Sequence, residues 1–496
     1  MDIWHNMIMG FYVTLTPVNL LFCFLGVLFG TLVGVLPGIG PIAAMSLLLP
    51  TTFSLAPVTS LIMLAGIYYG AMYGGSTTSI LVNIPGEAAS IVTCLDGYQM
   101  ARQGRAGVAL GISAFGSFIA GTLSLIGLMF LAPPLGEFAL RFGPPEYFSL
   151  MFLGLIILSS LFSGSALKAL IMVVFGLIVG CIGMETISGI PRFTHGIQTL
   201  VDGVGLVPVV MGMFGVAEVF SNLHEGMKRE IFKTHIGSVL PNLKDWFESI
   251  GAILRGTFVG FALGIIPGSG PILSSFASYA AEKKVSRYPE RFGRGAIQGV
   301  AGPEAANNAA ASAGFVPLLS LGIPANPMMA LLAGAMIIHG IQPGPTLVGE
   351  HPMVFWGVIS SMYVGNIMLL FLNLPLIRIW VKVLKIPYSI LFPLILIFCL
   401  IGVYSVNSDW VEIIIMIIFG ILSFFLKHLD YEPAPFVLAL VLGPMMETAF
   451  RQSLLLSKGS LEIFLTRPIS GILMGGVFIT LALPLFRLAR GRLTGT

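Results

Sequence analysis

The sequence predicts an all-α polytopic membrane protein made of two inverted-topology repeats, each with a re-entrant or broken helix hairpin. Three features of the 496-residue chain support this prediction. The chain is too apolar for a soluble domain, one helix-breaking motif occurs twice, and equivalent loops of the two copies differ in their content of basic residues.

The composition excludes a soluble globular protein. Hydrophobic residues make up 56% of the chain and charged residues 9%, with a mean hydropathy of +0.96. A soluble domain carries about 25% charged residues, because its folded surface must be wetted by water. Apolar stretches such as 147–162 and 353–372 approach the roughly 20 residues that a membrane helix needs. We expect about ten to twelve such segments, some of them shorter than a full span.

The first duplicated motif interrupts an apolar segment. The stretch "GVLFGTLVGVLPGIGP" (Gly26–Pro41) matches "GTFVGFALGIIPGSGP" (Gly256–Pro271), with Pro37 and Pro267 lying 230 positions apart. Proline and glycine break a helix here, whereas the preceding glycines at every fourth position allow close contact between helices in lipid. Because five glycines and two prolines coincide, we interpret the match as an internal repeat.

A second motif follows in each copy. The stretch "GGSTTSILVNIPGEAAS" (Gly74–Ser90) aligns with "AGFVPLLSLGIPANPMM" (Ala313–Met329), at a spacing of 239 positions between Pro85 and Pro324. The change in spacing from 230 to 239 indicates about nine extra residues between the two motifs of the second copy. We place them in "EKKVSRYPERFGR" (Glu282–Arg294).

The distribution of basic residues predicts opposite orientations for the two copies. Glu282–Arg294 carries five basic residues, whereas its counterpart Phe53–Leu64 carries none. Conversely, Met100–Gly107 contains two arginines, and its counterpart around Ile341–Gly344 contains no charge. Lysine and arginine in short loops mark the cytoplasmic side. The predicted units are therefore a first repeat at 1–225, a cytoplasmic linker at 226–250 and a second repeat at 251–496.

Each interruption predicts a re-entrant hairpin. The segment Gly251–Pro267 would enter the membrane, break at the PGSGP motif and return on the same side through Ile272–Ala281, with neither arm comfortably long enough to cross alone. The alternative is a pair of kinked helices that span the membrane fully.

The breaks predict a ligand site at membrane depth. Non-helical backbone is tolerated there only where it is buried in protein or lines a wet cavity, and interrupted helices of inverted repeats form the substrate site of many secondary transporters. A half-helix starting at Pro41 or Pro271 presents free amides and the positive end of its dipole. We therefore predict a cradle for an anion or ion, built from backbone groups.

We call the interruptions at Pro37 and Pro267 the first breaks and those at Pro85 and Pro324 the second breaks. Polar residues around the second breaks extend this predicted site, because hydroxyl and amide groups can bind carboxylate oxygens or substrate hydroxyls. The alternative for any single serine or threonine is routine hydrogen bonding between helices. The residues predicted to bind substrate are Gly38, Ile39, Gly40, Ser76, Thr77, Thr78, Asn83, Gly268, Ser269, Gly270, Asn307, Asn308, Ser312 and Gly322.

A coupling-ion site is predicted beside the same breaks. Exposed carbonyls can hold Na⁺, and a carboxylate inside an apolar segment is a functional candidate. Glu87 follows the first IPG break and Glu304 precedes the second, although both could equally lie at a membrane surface. The residues predicted for this site are Pro37, Asn83, Glu87, Glu304 and Ser320. The four scattered cysteines form no CxxC motif, so no metal site beyond a transported Na⁺ and no cofactor are expected.

Five long motifs carry a family resemblance. They are "GVLPGIGP", "GAMYGGSTTSILVNIPGEAASIVTCLDGYQMARQGRAG", "GPEAANNAAASAGFVPLLSLGIPA", "IIHGIQPGP" and "LGPMMETAFRQSLLLSKGSLEIFLTRPIS". Over nearly the whole chain they resemble the TctA family, the large membrane subunit of the tripartite tricarboxylate transporters. The family's signature positions correspond here to Pro37–Pro41, Gly74–Gly86, Pro267–Pro271, Asn307–Ser312 and Gly322–Pro324.

The resemblance implies a multi-pass permease of the bacterial inner membrane that imports a carboxylate by symport with Na⁺ or H⁺. Citrate-type tricarboxylates are the type case. It also implies two partners, a small TctB-like membrane subunit and a periplasmic TctC-like solute-binding protein that delivers the substrate. One departure leaves the exact carboxylate open: the second break reads "GIPANP", and Ala325 and Pro327 stiffen a turn that usually has glycine after the proline.

Two other classes of function are weighed against a transporter. An intramembrane enzyme is disfavoured because the chain has no GxSxG or GxGD motif, and "HEGMK" at His224 lacks the second histidine of a zinc site. A passive channel is disfavoured because two opposed hairpins offer no symmetric ring of filter carbonyls. No nucleic-acid partner is expected for a chain embedded in a lipid bilayer.

Overall fold

The protein is almost entirely helical. A computed structural model describes residues 3–36, 40–161, 165–185, 189–225, 238–266, 270–384 and 388–494. The α-helices are α1 Ile3–Thr14, α2 Pro17–Val35, α3 Gly40–Leu48, α4 Pro57–Val82, α5 Ile91–Arg102, α6 Ala106–Ala139, α7 Pro144–Leu161, α8 Ala166–Gly180, α9 Leu206–Val210, α10 Ala217–Glu225, α11 Leu243–Gly264, α12 Gly270–Val285, α13 Gln298–Ala313, α14 Phe315–Leu321, α15 Pro327–Ile338, α16 Leu347–Glu350, α17 Pro352–Asn373, α18 Ile377–Val383, α19 Tyr388–Asn407, α20 Trp410–His428, α21 Pro433–Leu456, α22 Ile463–Thr466 and α23 Pro468–Thr494.

Shorter elements connect these helices. A π-helical segment, Met211–Val216, joins α9 to α10, and one antiparallel pair of two-residue strands, β1 Gly183–Met184 and β2 Pro191–Arg192, lies in the connection after α8. The 3₁₀ turns are Leu49–Thr52, Ala88–Ser90, Gln198–Asp202 and Pro289–Arg291. The predicted all-α class is confirmed.

Six of the described helices are long and apolar enough to cross a membrane: α2, α6, α11, α17, α20 and α21. Among the other apolar helices, α3, α8 and α15 contain 9, 15 and 12 residues, too few for a comfortable span. This mixture of long and short apolar helices fits the predicted multi-pass membrane protein with incomplete spans.

The helix breaks recur at equivalent positions in the two halves. Gly40 and Gly270, 230 positions apart, begin α3 and α12 with positive φ angles of 69° and 51°. Asn83 and Gly322, 239 positions apart, end α4 and α14 in the left-handed conformation. The same two spacings that relate the sequence motifs therefore relate the backbone at each break. The opposite orientation of the halves across a bilayer remains a prediction.

The glycine stripes pack the helices of each half together. In the first half, an added Cβ at Gly30 would lie 2.4 Å from the carbonyl oxygen of Ile67, so α2 approaches α4 backbone to backbone. In the second half, a Cβ at Gly260 would lie 2.2 Å from the carbonyl oxygen of Ala306, which joins α11 to α13 in the same way. The contacting residues are 37 positions apart in the first half and 46 in the second, which agrees with nine extra residues between the motifs.

The prediction that neither arm of a hairpin is long enough to cross the membrane is wrong for the first arm. The helices that lead into the first breaks, α2 with 19 residues and α11 with 22, are both long enough to span. The apolar pattern begins at Gly251, but Asn242 and Asp245 form a capping box that starts α11 at Leu243, inside the predicted linker. Only the arms after the breaks are short, with 9 residues in α3 and 16 in α12.

The helices form two groups, which we name the central unit (α2–α6 and α11–α17) and the outer unit (α7–α10 and α19–α23). Within the outer unit, a Cβ at Gly176 of α8 would lie 2.3 Å from the carbonyl oxygen of Phe436 in α21. Likewise, a Cβ at Gly212 of the π-helical segment would lie 2.3 Å from the carbonyl oxygen of Met416 in α20. Both of these contacts join a segment of the first half to a helix of the second half.

Candidate functional site

In each half, the two helix breaks lie side by side. Gly86, in the second break of the first half, packs so tightly that an added Cβ would be 2.0 Å from the carbonyl oxygen of Gly34. The Thr78 hydroxyl donates to the carbonyl oxygen of Val35 at 2.6 Å, where α2 ends. In the second half, Gly270 lies beside Asn326. Both interruptions of a half therefore belong to one local structure.

The second break of each half also contacts the other half, and the two contacts are reciprocal. Asn307 Nδ2 donates to Glu87 Oε1 at 3.1 Å, and Asn326 Nδ2 donates to the Tyr68 hydroxyl at 3.1 Å. Glu87 and Asn326 are 239 positions apart, as are Tyr68 and Asn307. When residue i contacts j and the equivalent of j contacts the equivalent of i, the two units are related as in a two-fold dimer.

Glu87 and Asn326 have the same structural task at these equivalent positions. The Glu87 side chain accepts from the Ala89 amide at 2.6 Å and caps the turn before α5. The Asn326 side chain accepts from the Met329 amide at 3.0 Å and caps α15. The "GIPANP" departure thus supplies a helix cap together with Pro327 at the first helical position.

A second buried carboxylate belongs to the Glu87 contact, because Glu304 lies one helical turn before Asn307 on α13. Glu87, Glu304 and Asn307 are buried, at 6%, 1% and 0% exposed, and the coupling-ion role of the two carboxylates stays a prediction. The Thr93 hydroxyl donates to Glu304 Oε1. Glu304 Oε2 and Asn307 Oδ1 are buried without a hydrogen-bond partner among the described residues.

A small polar cavity lies where equivalent residues of the two halves face each other. Tyr69 and Asn308, and likewise Tyr73 and Ser312, are equivalent pairs and line it together with Asn366. The Tyr73 hydroxyl donates to Asn366 Oδ1. The cavity volume of about 10 Å³ is sufficient for roughly one water molecule and not for a tricarboxylate.

The remaining predicted residues are distributed around this interface. Pro37, Gly38, Ile39, Gly268 and Ser269 lie outside the described residues. Ser76 and Ser320 donate to carbonyl oxygens of their own helices, and Thr77 is buried on α4. Asn83 is exposed, and Gly322 is packed against the carbonyl oxygen of Pro343. Ligand binding by all of these residues stays a prediction.

Sequence reasoning missed Asp96, which is fully buried on α5. Its Oδ1 accepts the backbone amides of Gly293, Gly295 and Ala296 at 2.8–2.9 Å, and its Oδ2 accepts the Tyr279 hydroxyl at 2.9 Å. Gly293 and Gly295 have positive φ angles, which turn successive amides toward one anion. Asp96 therefore ties α5 of the first half to α12 and its following loop in the second half.

Sequence reasoning also missed a larger cavity, of about 610 Å³, between α15, the outer unit and the loop before α9. Arg192 and Glu447 line it and form a bidentate ion pair, in which the two terminal guanidinium nitrogens donate to the two carboxylate oxygens at 2.7 and 3.0 Å. Arg451 also binds Glu447, at 2.9 Å. The volume is within the range of small-molecule sites, and the charged groups that line it are mostly acidic: Asp202, Glu412 and Glu447 against one arginine, Arg192.

The four short helices differ in how they meet the outer unit. By the two repeat spacings, α3 is equivalent to α12 and α5 is equivalent to α15. We call α3 with α15 the first tip pair and α5 with α12 the second tip pair, so each pair contains one helix from each half. The first pair packs on outer helices: α3 on the π-helical segment and α19, and α15 on α21. Among the described residues, neither α5 nor α12 makes an extensive contact with the outer unit.

Side-chain exposure follows this asymmetry. Ile91 and Leu95 of α5 are 42% and 47% exposed, whereas the equivalent residues in α15, Ala330 and Gly334, are buried. Phe276 of α12 is 45% exposed, whereas its equivalent in α3, Ser46, is 1% exposed. The second tip pair therefore has an uncovered apolar surface at the positions where the first tip pair meets the outer unit.

Comparison with known proteins gives a consistent result. The model of the tripartite tricarboxylate transporter TctA family matches residues 20–438. An uncharacterized 52.8 kDa protein of Agrobacterium vitis, from the TAR-I ttuC' 3' region, is 53% identical over 474 residues, which cover 96% of this chain and 94% of that protein. A second uncharacterized protein, from the TAR-II ttuC' 3' region, is 52% identical over 216 residues, or 44% of this chain and 89% of its own. No solved structure is significantly similar.

Proposed function

This chain belongs to the tripartite tricarboxylate transporter TctA family and is a membrane component of such a transporter; from this premise we propose that it imports a small carboxylate by alternating access. A Na⁺ or H⁺ gradient drives the import across the bacterial inner membrane. A small TctB-like membrane subunit and a periplasmic TctC-like binding protein complete the system. Citrate-like tricarboxylates and related organic acids are the proposed substrates.

The asymmetry between the tip pairs is the observation that carries this proposal. Equivalent helices of a repeat protein have similar backbone geometry, so one pair packed on a neighbouring unit and the equivalent pair uncovered is what one of two exchangeable arrangements would show. Alternating access in repeat transporters works in this manner, by movement of one unit against another. In the alternative arrangement, α5 and α12 would pack on the outer unit and α3 and α15 would separate from it.

The basic residues assign a side to each tip pair. Arg102 lies in the last turn of α5, and Lys283 and Lys284 lie in the last turn of α12. The first tip pair has no basic residue in the last turn of α15, and the turn after α3 is uncharged. By the positive-inside rule, the second tip pair faces the cytoplasm. The structure then corresponds to a state that is closed on the periplasmic side and released on the cytoplasmic side.

The proposed substrate site uses the backbone at the starts of α3 and α12. Helix N-termini bind carboxylates through free amides and the positive end of the dipole. The space around Gly40 is open toward the described residues, since none of their atoms lies within 4 Å of an added Cβ. Substrate carboxylates would approach these amides between the two tip pairs.

Uptake measurements test the transport function directly. The purified chain, reconstituted in liposomes with the small membrane subunit and the binding protein, is expected to accumulate a labelled carboxylate when Na⁺ or H⁺ is supplied in gradient. A panel of mono-, di- and tricarboxylates identifies the substrate. Equal fluxes with and without the gradient would instead indicate a channel, and chemical conversion of the carboxylate an enzyme.

Thiol labelling tests the proposed state. In a background in which the half-buried Cys94 and Cys181 are replaced by serine, we expect Phe276→Cys to react with a membrane-impermeant maleimide from the cytoplasmic side, at least about tenfold faster than Ser46→Cys. The two positions are equivalent, and the Ser46 substitution is nearly isosteric, so the pair is matched. A substrate and Na⁺ together should slow labelling of Phe276→Cys.

Two results would contradict the alternating-access proposal. One is equal labelling of both thiols from one side, which would mean that the repeats do not differ in exposure. The other is no labelling of Phe276→Cys under any condition, which would mean that α12 faces lipid and not a water-filled crevice.

A further inference from the structure

We propose that the cavity of about 610 Å³ beside α15 binds a phospholipid whose headgroup combines a primary ammonium group with a phosphate. We name it the outer cavity. Its walls are formed by α15, by α20 and α21 of the outer unit, and by the loop before α9. The lipid site follows from the cavity itself, whereas its effect on the tip pairs rests on the proposed transport function.

Two polar atoms of residues that line the outer cavity are buried without a hydrogen-bond partner among the described residues, and they are of opposite kinds. Glu412 is 3% exposed; its Oε1 accepts from Asn407 Nδ2 at 2.6 Å, whereas its Oε2 has no donor. Arg192 donates from both terminal nitrogens to Glu447, whereas its Nε has no acceptor. A buried polar group without a partner is unfavourable, so the cavity calls for both a donor and an acceptor.

The charges around the outer cavity favour a cationic group in the ligand. Glu447 is neutralised by Arg192 and Arg451, at 2.7 and 2.9 Å. Among the described residues, no lysine, arginine or histidine nitrogen lies within 4.0 Å of the carboxylate of Glu412 or of Asp202. A buried carboxylate without a cation is unfavourable. An ammonium group at Glu412 would supply both the positive charge and the missing N–H donor.

Simpler occupants satisfy only part of this arrangement. A proton on Glu412 removes its charge but brings no acceptor to Arg192 Nε, and a metal ion cannot accept a hydrogen bond. The described residues also contain no group of three or more histidine, cysteine, aspartate or glutamate side chains that could hold a metal. Water molecules can pair with both atoms, but they would leave the apolar walls of a large cavity wet. A zwitterion with an apolar body matches all of these features.

The walls of the outer cavity suit acyl chains. Apart from five polar residues, its lining residues are apolar or glycine. Ile337 and Ile338 of α15 and Met184 of β1 line it and are 44%, 46% and 55% exposed, so the cavity opens along an apolar edge. In a membrane, the hydrocarbon of lipid tails is a suitable neighbour for such side chains.

The depth of the site matches that of phospholipid headgroups. The helix α20 is long and apolar enough to cross a membrane, and it begins at Trp410, which is 66% exposed. Tryptophan is enriched at the membrane–water interface, at the level of the headgroups. Glu412 lies two residues later, about 3 Å along the helix axis. A lipid at this level can place its ammonium at Glu412 and its phosphate at Arg192, with its chains along Ile337 and Ile338.

The position of the lipid links it to the first tip pair. One wall of the outer cavity is α15, a member of that pair, and the opposite walls belong to the outer unit. An added Cβ at Gly334 of α15 would lie 2.1 Å from Leu206 Cδ2, so α15 touches the start of α9 beside the cavity. A lipid that fills this space binds the packed arrangement and not the separated one, and therefore favours the packed state. In the orientation proposed above, it belongs to the periplasmic leaflet.

Native mass spectrometry of the purified full-length chain tests the site without transport. With phosphatidylethanolamine added, we expect one retained lipid per chain. Retention should be about tenfold weaker for phosphatidylcholine, whose ammonium has no N–H, and for phosphatidylglycerol, which has no ammonium, because each lacks the charged hydrogen bond to Glu412. Soluble phosphoethanolamine should not displace the lipid; displacement would identify a free solute as the ligand and overturn the lipid assignment.

Two variants change different features of the site. Glu412→Gln keeps the acceptor for Asn407 but removes the charge, and should weaken retention of phosphatidylethanolamine about tenfold. Ile338→Trp fills the apolar part of the cavity, leaves both charged side chains in place, and should weaken retention as well. The matched controls, Glu350→Gln in another cavity and Ile367→Trp at an exposed position of α17, should retain the lipid. A size-exclusion profile identifies any variant that does not fold.

Two results would overturn the proposal. One is unchanged retention in folded Glu412→Gln, because a neutral side chain, equivalent to a protonated carboxyl group, would then serve equally well. The other is equal retention of the three phospholipids, since lipid that merely surrounds the protein shows no preference for a headgroup.

The effect on the tip pairs is measured separately, by labelling of Phe276→Cys relative to Ser46→Cys. The ratio of the two rates should be higher in vesicles of phosphatidylethanolamine mixed with phosphatidylcholine than in phosphatidylcholine alone, and Glu412→Gln should remove the difference. Lipid binding that depends on Glu412, in a chain that moves no carboxylate, would support the site and refute the proposed function. Carboxylate uptake by a chain without this lipid preference would do the opposite.

Discussion

Replacing Asp96 by alanine is expected to destabilise the protein by about 2–4 kcal/mol and to release the loop after α12. The substitution leaves the Ala296 amide buried without an acceptor and removes the acceptor of the Gly293 and Gly295 amides. A buried group that loses its partner costs about 1–3 kcal/mol, and hydrogen bonds to a charged group are stronger than neutral ones. Because Gly293 is exposed, the expected loss of stability is smaller than the full cost of three buried amides that lose their acceptor.

Two measurements check this prediction. The midpoint of thermal unfolding in detergent should fall, and trypsin should cleave faster after Arg291 or Arg294, which lie in the loop that Asp96 holds. Asp96→Asn is the control, since its amide oxygen still accepts the three backbone amides while the Tyr279 hydroxyl can accept from its NH₂ group. We expect the asparagine variant to lose less stability than the alanine variant. Parent-like unfolding and proteolysis of Asp96→Ala would show that this carboxylate is dispensable.

Replacing Gly260 by valine is expected to prevent normal assembly of the second half. An added Cβ would lie 2.2 Å from the carbonyl oxygen and 2.7 Å from the Cα of Ala306. Both are backbone atoms of α13, so no side chain can move aside, and the helices must separate. The cost is at least about 3 kcal/mol, the upper part of the range for overpacking in a close-packed interior. The equivalent change, Gly30→Val in α2, should have a similar effect.

The yield of monodisperse protein in size-exclusion chromatography and the midpoint of thermal unfolding measure this effect. Gly475→Val is the matched control: it also lies in an apolar helix, α23, but no atom of the described part of the chain is within 4 Å of its added Cβ. A Gly260→Val protein that is as abundant and as stable as the Gly475→Val protein would show that close approach of α11 and α13 is not required.

The repeat was accessible from the sequence because it is encoded locally. Glycine and proline impose special backbone angles at Gly40 and Gly270, and small residues at every fourth position permit helix contact wherever the partner helix lies. The start of α11 was not accessible from hydropathy, since its first turn is polar and is defined by the Asn242 cap. The Asp96 clamp was inaccessible for another reason: its ligands lie about 200 positions away, and a single aspartate on a helix gives no signal of its partners.

By itself, the sequence determined the membrane-protein class, the two pairs of helix breaks and their spacing, the nine extra residues, and the family. These properties depend on residue type and local order, which the chain carries directly. Only the tertiary structure decided which groups meet: that Glu87 reaches Asn307 while Asn326 reaches Tyr68, and that one tip pair is packed while the other is exposed. Such contacts depend on how two halves dock, and docking is fixed by the summed packing of many side chains and not by any single motif.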